Sequence, residues 1–374
     1  MTTGGTENLS SAGATLQGSF SGAMGTVYDR GFEWGTSSTS LSHTEQLGSA
    51  SGTSGNFSVT LGSLSAGTTY YYRAYVRLQS GNSITDPIYG SVRSFTTTAS
   101  GVAGLQYLGG YGIPALSLVS TTSATDSGQE TFYETGARTN WYKYATTNAN
   151  QVVVTHTYSY QSKEYCNYTI LVDKTKKAPL WNAFEMSASY PDNNVGRAGD
   201  WTKDPALDDS WQQSSSTTTY SRGHLCASNY RQTSSVANKQ TFYYTNQALQ
   251  EQDGFNGTLW AELEKAVAAH APTASNQKLF VVVGVLYENN TTAGGVPVPS
   301  HFYTCLMKCT ISNGNVTAAS GCAYLFENKA YSNNDYSSGI TTINAVESRA
   351  GFDFFAAVPQ SIQDTAEAQS AALW

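Results

Sequence analysis

The sequence has few charged residues. Asp, Glu, Lys and Arg make up 13% of its 374 residues, acidic residues outnumber basic ones by 27 to 20, and the net charge is −7. This balance argues against a nucleic-acid partner, because phosphate-binding proteins usually carry a basic surface. The segment between Ser210 and Gln250 differs, since it has no acidic residue and contains Arg222, Arg231 and Lys239. A chain with so little charge also contains such a gap by chance, so the segment alone establishes no binding site.

Cysteine is scarce too, with five residues in the chain. So low a density excludes a disulfide-rich scaffold, and no spacing fits a structural zinc motif. Cys305 and Cys322 lie symmetrically about Asn313-Gly314, a dipeptide typical of hairpin turns, and would therefore face each other across two strands. A disulfide between them and a buried free thiol at each position are the two alternatives.

Long apolar runs are also absent. No stretch approaches the roughly 20 apolar residues of a membrane-spanning helix, so we expect no membrane span. Residues 1–15 are polar and lack the apolar core of a signal peptide. We therefore expect the export signal, if the protein has one, to lie outside this sequence.

Tyrosine and glycine are abundant, with 25 and 34 residues, and this composition is typical of β-rich extracellular domains. Residues 10–98 contain short alternating segments separated by turn residues, which predicts an antiparallel β-sandwich. Residues 64–76 and 89–97 resemble the end of fibronectin type III-like modules. The resemblance implies a sandwich without catalysis of its own, available to a surface partner.

Residues 99–104 are small and predict a linker to a second domain, residues 105–374. Apolar periodicity predicts helices at 258–270 and 340–350 in this domain. The layout indicates an α+β fold with a mostly antiparallel sheet. Its predicted strands are residues 151–158, 168–172, 279–285, 302–311 and 316–326.

Of the five histidines, His224 has the most informative neighbours. It follows Arg222-Gly223 and lies in the segment without acidic residues. A satisfied structural histidine is the alternative interpretation, because that is the commoner role. Two further motifs follow in order: Tyr243 to Asn246 with Gln250, and Asn256 with Trp260, Leu263 and Glu264.

Together the three motifs resemble the DNA/RNA non-specific endonuclease family, the ββα-metal nucleases of the endonuclease G type. The likeness extends over residues 104–360. It implies cleavage of DNA and RNA through phosphate contacts, with Mg²⁺, or alternatively Mn²⁺, and 5′-phosphate products. It also implies a site: His224 as general base, Asn256 as the direct metal ligand, Glu264 as a metal contact through water, and Arg222, Asn246 and Arg197 as further catalytic residues.

The chemistry of phosphodiester hydrolysis explains this set of residue types. A neutral histidine can take a proton from water near pH 7, and positive charge stabilises the developing phosphorane. Mg²⁺ keeps several waters, so one neutral protein ligand is sufficient. Asn256 lies at the entrance of the predicted helix, and Trp260 and Glu264 follow at four-residue steps, so the three would share one stripe. Trp260 and Leu263 are expected in the core.

Three of the assigned residues have ordinary alternatives. Glu264 fits a helix-surface carboxylate equally well, and Asn246 fits a turn residue. Arg197 would contact phosphate in the family, and a solvated loop arginine is the alternative.

Two positions depart from the family. Ser221 stands where the first motif usually has Asp, so we expect altered metal affinity or rate rather than loss of activity. Ala268 stands where some members have a basic residue one turn after the Glu, which removes a phosphate contact. These departures, with the acidic total charge, support an alternative function as a catalytically weakened surface protein for binding or adhesion.

The sequence also bears on location. Asn256-Gly257-Thr258 is an N-glycosylation sequon, and a sugar on the metal ligand would destroy the site. A eukaryotic secretory route therefore does not fit an active enzyme. We expect a bacterial protein that is secreted, on the cell surface or in the periplasm.

Overall fold

The computed structural model describes residues 1–7, 13–62, 64, 68–97, 110–119, 124–132, 137–213, 219–312 and 315–374. The chain divides into two compact units, Met1–Ser100 and Gly101–Trp374. The linker predicted at residues 99–104 lies outside the described residues.

The first unit consists of two antiparallel sheets that share one apolar core. One sheet has the strand order β1-β2-β5, and in the other β4, β3 and β6 are neighbours while β7, β8 and β9 pair with β6. Leu16, Phe32, Phe57 and Tyr72 from both sheets meet in the core, which makes the unit a β-sandwich. Its strands are β1 (Thr2–Glu7), β2 (Ala14–Phe20), β3 (Thr26–Gly35), β4 (His43–Ala50), β5 (Gly55–Leu61), β6 (Thr69–Ser80), β7 (Ser83–Ile84), β8 (Ile88–Tyr89) and β9 (Arg93–Thr96).

The second unit is built on a large antiparallel sheet with the order β10-β11-β12-β13-β14-β17-β20-β21-β22. Two short ribbons, β15 with β16 and β18 with β19, lie outside it. The strands are β10 (Asp126–Phe132), β11 (Ala137–Ala145), β12 (Gln151–Tyr160), β13 (Lys163–Asp173), β14 (Ala178–Met186), β15 (Tyr220–His224), β16 (Gln247–Glu251), β17 (Gln277–Leu286), β18 (Thr292–Ala293), β19 (Val296–Pro297), β20 (His301–Ser312), β21 (Asn315–Glu327) and β22 (Ile340–Thr341).

Both faces of the large sheet are covered, which explains why central strands such as β17 read as nearly continuous apolar runs. On one face, Val154 and Ile170 pack with Leu259 and Leu263 of the helical segment after β16. On the other face the sheet packs against α3 and α4. The α+β fold with a mostly antiparallel sheet is therefore confirmed. The α-helices are α1 (Ser235–Gln240), α2 (Ala261–Ala269), α3 (Ile343–Ala350) and α4 (Gln360–Glu367).

The predicted helix at 258–270 is wrong at its start. A π-helix over Gln252–Trp260 precedes α2 (Ala261–Ala269), so the helical segment begins six residues earlier. Apolar spacing misses this part because a π-helix departs from the 3.6-residue period. The predicted helix at 340–350 begins late instead, since residues Ile340–Thr341 form β22 and α3 starts at Ile343.

The register of β20 and β21 decides the disulfide question. The pairing Ser312↔Asn315 follows the predicted turn, but a bulge at Thr317 shifts every later pair by one residue. Cys305 consequently lies opposite Ala323, and Cys322 opposite Leu306, so the two thiols point to opposite faces of the sheet. All five cysteines are free thiols. A helix long and apolar enough to cross a membrane does not occur among the described residues.

Candidate active site

The predicted site lies on a β-ribbon followed by a helix. Strands β15 and β16 pair antiparallel, with His224 opposite Gln247 and Ser221 opposite Gln250. The π-helix Gln252–Trp260 follows β16 directly and packs against both strands. The family resemblance predicts this strand–strand–helix order.

The π-helix carries Asn256, so this residue lies inside the helical segment rather than at its entrance. π-Helical turns are rare and occur frequently at functional sites. The side chain of Asn256 is half-buried, and its Nδ2 donates a hydrogen bond of 2.6 Å to Oε1 of Gln250. The amide is thereby tied to the neighbouring strand.

His224 is enclosed by aromatic rings. The ring centroids of Trp201 and Phe242 lie 4.6 and 4.9 Å from that of the imidazole. The Nε2 atom of His224 is buried and has no hydrogen-bond partner. Burial, together with the nearby positive charge of Arg197, lowers the pKa of His224 to about 3. The imidazole is therefore neutral at physiological pH, which is the protonation state of a base.

Two arginines stand beside this histidine. Arg197 is exposed; its Nη1 donates to Ser228 Oγ at 2.7 Å, and its guanidinium lies 4.9 Å from the Phe242 ring that also contacts His224. The guanidinium of Arg222 lies 6.0 Å from the ring of Trp201. Two positive charges are therefore near the enclosed imidazole, where they would meet an anionic substrate.

Glu264 belongs to the same neighbourhood. Its Oε1 accepts a hydrogen bond of 3.1 Å from Nε1 of Trp260, one helical turn earlier. Burial raises the pKa of Glu264 to about 8, against the opposing effects of Trp260 and Arg197. Its surroundings thus differ from those of an ordinary helix-surface carboxylate. Trp260 and Leu263 are core residues, as predicted, with 2% and 1% exposure.

Asn246 lies beneath the site and is fully hydrogen-bonded. Its Oδ1 accepts from Nδ2 of Asn182 and the backbone N–H of Cys226, and its Nδ2 donates to the carbonyls of Cys226 and Thr241. No capacity is left for a substrate. Because Cys226 is two residues after His224, Asn246 secures the end of the strand that carries the histidine.

Arg231, a further basic residue of the segment without acidic residues, is not part of the site. Arg231 is fully buried, and its guanidinium donates to the carbonyls of Asn167, Tyr230 and Glu185. It therefore supplies no charge to a surface. Ala268 packs against the core that covers the sheet.

Sequence reasoning missed a buried polar network behind the site. His156 Nε2 lies 3.0 Å from Asp204 Oδ2, and the same oxygen accepts a hydrogen bond from Thr245 Oγ1. Burial by itself would raise the pKa of Asp204, but His156 and the two hydrogen bonds from Thr245 and the Ala206 backbone hold it below its usual value. This network fixes the loop that carries Trp201, and no local pattern signals it.

Among the described residues, one group of three carboxylates has the spacing of a cation site. Glu347, Asp353 and Glu367 place oxygens within 4.8 Å of one another. The group includes none of the residues of the predicted active site, and Gln363 bridges Asp353 and Glu367 by hydrogen bonds.

Comparison with known proteins identifies the family. The family model for DNA/RNA non-specific endonucleases matches residues 145–361, more than half of the chain. The chain belongs to this family. Membership of a nuclease family implies nucleic-acid substrates.

Curated members of the family are distant from this chain. A nuclease of Serratia marcescens is 22% identical over 208 residues, which cover 52% of this chain and 75% of the relative. The mitochondrial endonuclease G of Caenorhabditis elegans is 28% identical over 158 residues, which cover 38% of this chain and 49% of the relative. A crystal structure of the EndoG/EndoGI complex contains a chain that is 22% identical, with a TM-score of 0.46; the match covers 55% of this chain and 88% of that one.

The family implies a metal ion, and the side chains at the site fit a hard divalent cation. The helical segment offers two groups whose oxygen atoms can bind a metal ion, the amide Oδ1 of Asn256 and the carboxylate of Glu264. Mg²⁺ prefers oxygen ligands. Because Nδ2 of Asn256 is bonded to Gln250, its oxygen is the end of the amide that remains for a ligand. The Nε2 of His224 has no hydrogen-bond partner among the described residues.

Proposed function

We propose that this protein is a divalent-metal-dependent endonuclease that hydrolyses DNA and RNA without sequence preference. The observation that carries the proposal is the neutral imidazole of His224, whose Nε2 has no partner, on the ribbon that is followed by the helical segment with Asn256 and Glu264. A base, an oxygen ligand and a carboxylate then share one strand–strand–helix unit. Membership of the family supports the same assignment.

In the proposed reaction, Arg197 and Arg222 hold a backbone phosphate. His224 accepts a proton from a water molecule while the oxygen of that water forms a bond to phosphorus. The bond from phosphorus to the 3′ oxygen breaks. That oxygen takes up a proton from solvent water, so the products are a 5′-phosphate and a 3′-hydroxyl. Contacts confined to phosphate carry no base information, which accounts for the absence of sequence preference.

Asn256 Oδ1 would hold the cation, Mg²⁺ or alternatively Mn²⁺. When bound, the cation supplies positive charge to the phosphate in the transition state. Glu264 would lose its proton when positive charge is placed beside it, because an opposite charge favours the ionised form. The resulting carboxylate would accept hydrogen bonds from nearby water.

The test is cleavage of plasmid DNA and of RNA with Mg²⁺, in EDTA, and by His224→Ala. Cleavage should require the metal and should fall sharply in the variant. His270→Ala is the matched control, since His270 is an exposed histidine at the end of α2 that stacks on Trp374. Full activity of His224→Ala would refute the assignment of the base.

Ser221 favours a second candidate, a weakened nuclease that acts as a surface binding or adhesion protein. Loss of the usual Asp removes negative charge beside Gln250, its partner across the ribbon. This candidate predicts binding to a glycan or host protein and no cleavage with any divalent cation. Metal-dependent cleavage by the unmodified protein would exclude it.

We further propose that the protein is exported by a bacterium. In this arrangement the fibronectin type III-like sandwich, residues 10–98, would act as a spacer or as the site of a surface partner. Residues 105–374 would form the nuclease domain. Expression of 105–374 alone tests the division: it should retain cleavage activity, and loss of activity with retained folding would show that the sandwich takes part in catalysis.

A further inference from the structure

Gln250 is an unusual residue for the inner face of a short ribbon. Its side chain is fully buried, with 0% exposure, although an amide needs hydrogen-bond partners when it leaves water. Its Oε1 accepts the hydrogen bond from Asn256 Nδ2, at 2.6 Å, and its Nε2 has no partner. The fold therefore buries a polar group at a cost, and among the described residues its side-chain hydrogen bond is to the proposed metal ligand.

Gly223 makes room for this contact. A Cβ at position 223 would lie 2.7 Å from Cβ of Gln250 and closer still to its Oε1. Real Cβ atoms do not approach so closely, so any other residue would displace the Gln250 side chain. The Arg222-Gly223-His224 motif thus requires glycine at position 223, because a larger residue would collide with Gln250. Gln250 is the residue that holds Asn256.

The hydrogen bond has a direction, and the direction matters for a metal. An asparagine amide has a donor end and an acceptor end, and only the acceptor end binds a cation. Because Gln250 Oε1 engages the NH₂ group of Asn256, the Oδ1 atom is the end of the amide that is not bonded to Gln250. We propose that Gln250 is a positioning residue, which fixes the amide of Asn256 so that its Oδ1 is presented to a divalent cation. This inference rests on the proposed function, in which Asn256 is the metal ligand.

A half-buried Asn without this tether would rotate and present either end. Residues that orient a metal ligand typically contribute about 10–100-fold to metal affinity. The effect on Kd should therefore be visible without any turnover.

The test measures Mn²⁺ binding to the full chain by loss of the free-ion EPR signal, for three variants. Gln250→Met removes the acceptor and should weaken binding about 10-fold or more. Gln250→Glu keeps an acceptor of the same shape, and an ionised carboxylate can only accept, so binding should be retained. Gln247→Met is the matched control: Gln247 is a buried glutamine of the same strand, bonded to the carbonyl of Gln213 instead of to Asn256.

A double variant tests whether the effect passes through Asn256. In an Asn256→Ala background, Gln250→Met should cause no further loss of Mn²⁺ binding, because the oriented group is already gone. Thermal unfolding of each variant shows that it is folded at the temperature of the titration. If Gln250→Met is unfolded, the comparison of Gln250→Glu with the unmodified protein still decides the direction of the bond.

The outcomes separate the two proposals. If the unmodified protein binds no Mn²⁺, the proposed function fails. If it binds Mn²⁺ and folded Gln250→Met binds equally well, the positioning role is overturned while the metal site stands. Loss of binding in folded Gln250→Glu would also overturn the role, because it would mean that Gln250 donates to Asn256.

Discussion

The regions around His156 and His224 have similar aromatic surroundings. They differ in whether the buried imidazole has a hydrogen-bond partner. Each imidazole is buried, at 1% and 8% exposure, and each contacts two aromatic rings, Tyr168 and Tyr243 for His156 and Trp201 and Phe242 for His224. His156 is bonded to Asp204, which is held in turn by Thr245. The Nε2 of His224 has no partner.

The difference separates a histidine that stabilises the fold from one that is available for chemistry. An unpartnered buried polar atom costs about 1–3 kcal/mol, so folds rarely keep one without a use. Three more such atoms belong to the ribbon and its helix: Oε1 of Gln247, Nε2 of Gln250 and Oγ1 of Thr258. Buried atoms without a partner also occur elsewhere among the described residues, for example in Tyr158, Trp181 and Tyr303. What distinguishes His224 is its unpartnered nitrogen together with its place on the ribbon that precedes Asn256 and Glu264.

The largest expected effect is on the rate of His224→Ala. Loss of a general base should lower kcat by about 10²–10⁴-fold. The free energy of unfolding should change little, because lost packing is offset by removal of an unpartnered nitrogen. Single-turnover cleavage and urea unfolding measure the two quantities. A large loss of stability with unchanged kcat would reverse the roles assigned to the two histidines.

His156→Ala should have the converse effect. It leaves the carboxylate of Asp204 buried without its main partner, which typically costs about 3–5 kcal/mol. Urea unfolding should show this loss, while kcat of the folded fraction falls far less than in His224→Ala. Equal losses of stability in the two alanine variants would contradict the comparison.

A third polar region contains the carboxyl groups of Glu347 and Glu367. These groups contribute to stability through their protonation state. Burial raises the pKa of Glu347 to about 7 and, with the charge of Glu347, that of Glu367 to about 8. Between pH 4.5 and 8 the folded chain then binds more protons than the unfolded chain, so stability is highest at acidic pH and falls as pH rises. The loss should be on the order of 2–4 kcal/mol. Glu367→Gln should flatten the slope in urea unfolding at pH 5 and pH 8.

The pH–rate profile sharpens the assignment of the base. Because the pKa of His224 is lowered to about 3, its neutral form persists far below the ordinary value of 6.5. The acid limb of kcat/KM should therefore lie well below pH 6, and Arg197→Gln should move it upward by removing a nearby positive charge. The same shift makes the unfolded chain bind the extra proton, so this contribution to stability is lost as pH falls below 6.5. A limb near pH 6.5 would show that His224 is solvated in the working enzyme.

The smallest effect is expected for Ser221→Asp. A carboxylate opposite Gln250 adds negative charge near the proposed metal ligand, which should lower the half-saturating Mg²⁺ concentration by a factor of about 2–10, or ~0.4–1.4 kcal/mol. Ser221→Asn is the control of equal size without charge. A metal requirement unchanged by the Asp variant would mean that the departure at Ser221 is silent.

Much of the fold could be predicted because its signals are local. The predicted strands at 151–158, 168–172, 279–285, 302–311 and 316–326 all lie within observed strands or match them closely. Strands β10 and β11 were not predicted, since their polar sequences lack a clear alternation. The π-helix was missed for a related reason: its start, Gln252-Asp253-Gly254, has no apolar period to detect.

Order and spacing along the chain were sufficient for the three motifs, the α+β class and the family, because these are properties of consecutive residues. Partner choice was decided only in three dimensions. The Thr317 bulge places Cys305 and Cys322 on opposite faces of the sheet. Backbone carbonyls bind the buried guanidinium of Arg231, which removes its charge from the surface, and Asp204 binds His156 but not His224. The last two outcomes depend on groups far apart in the chain, and burial makes the cost of a missing partner large enough to matter.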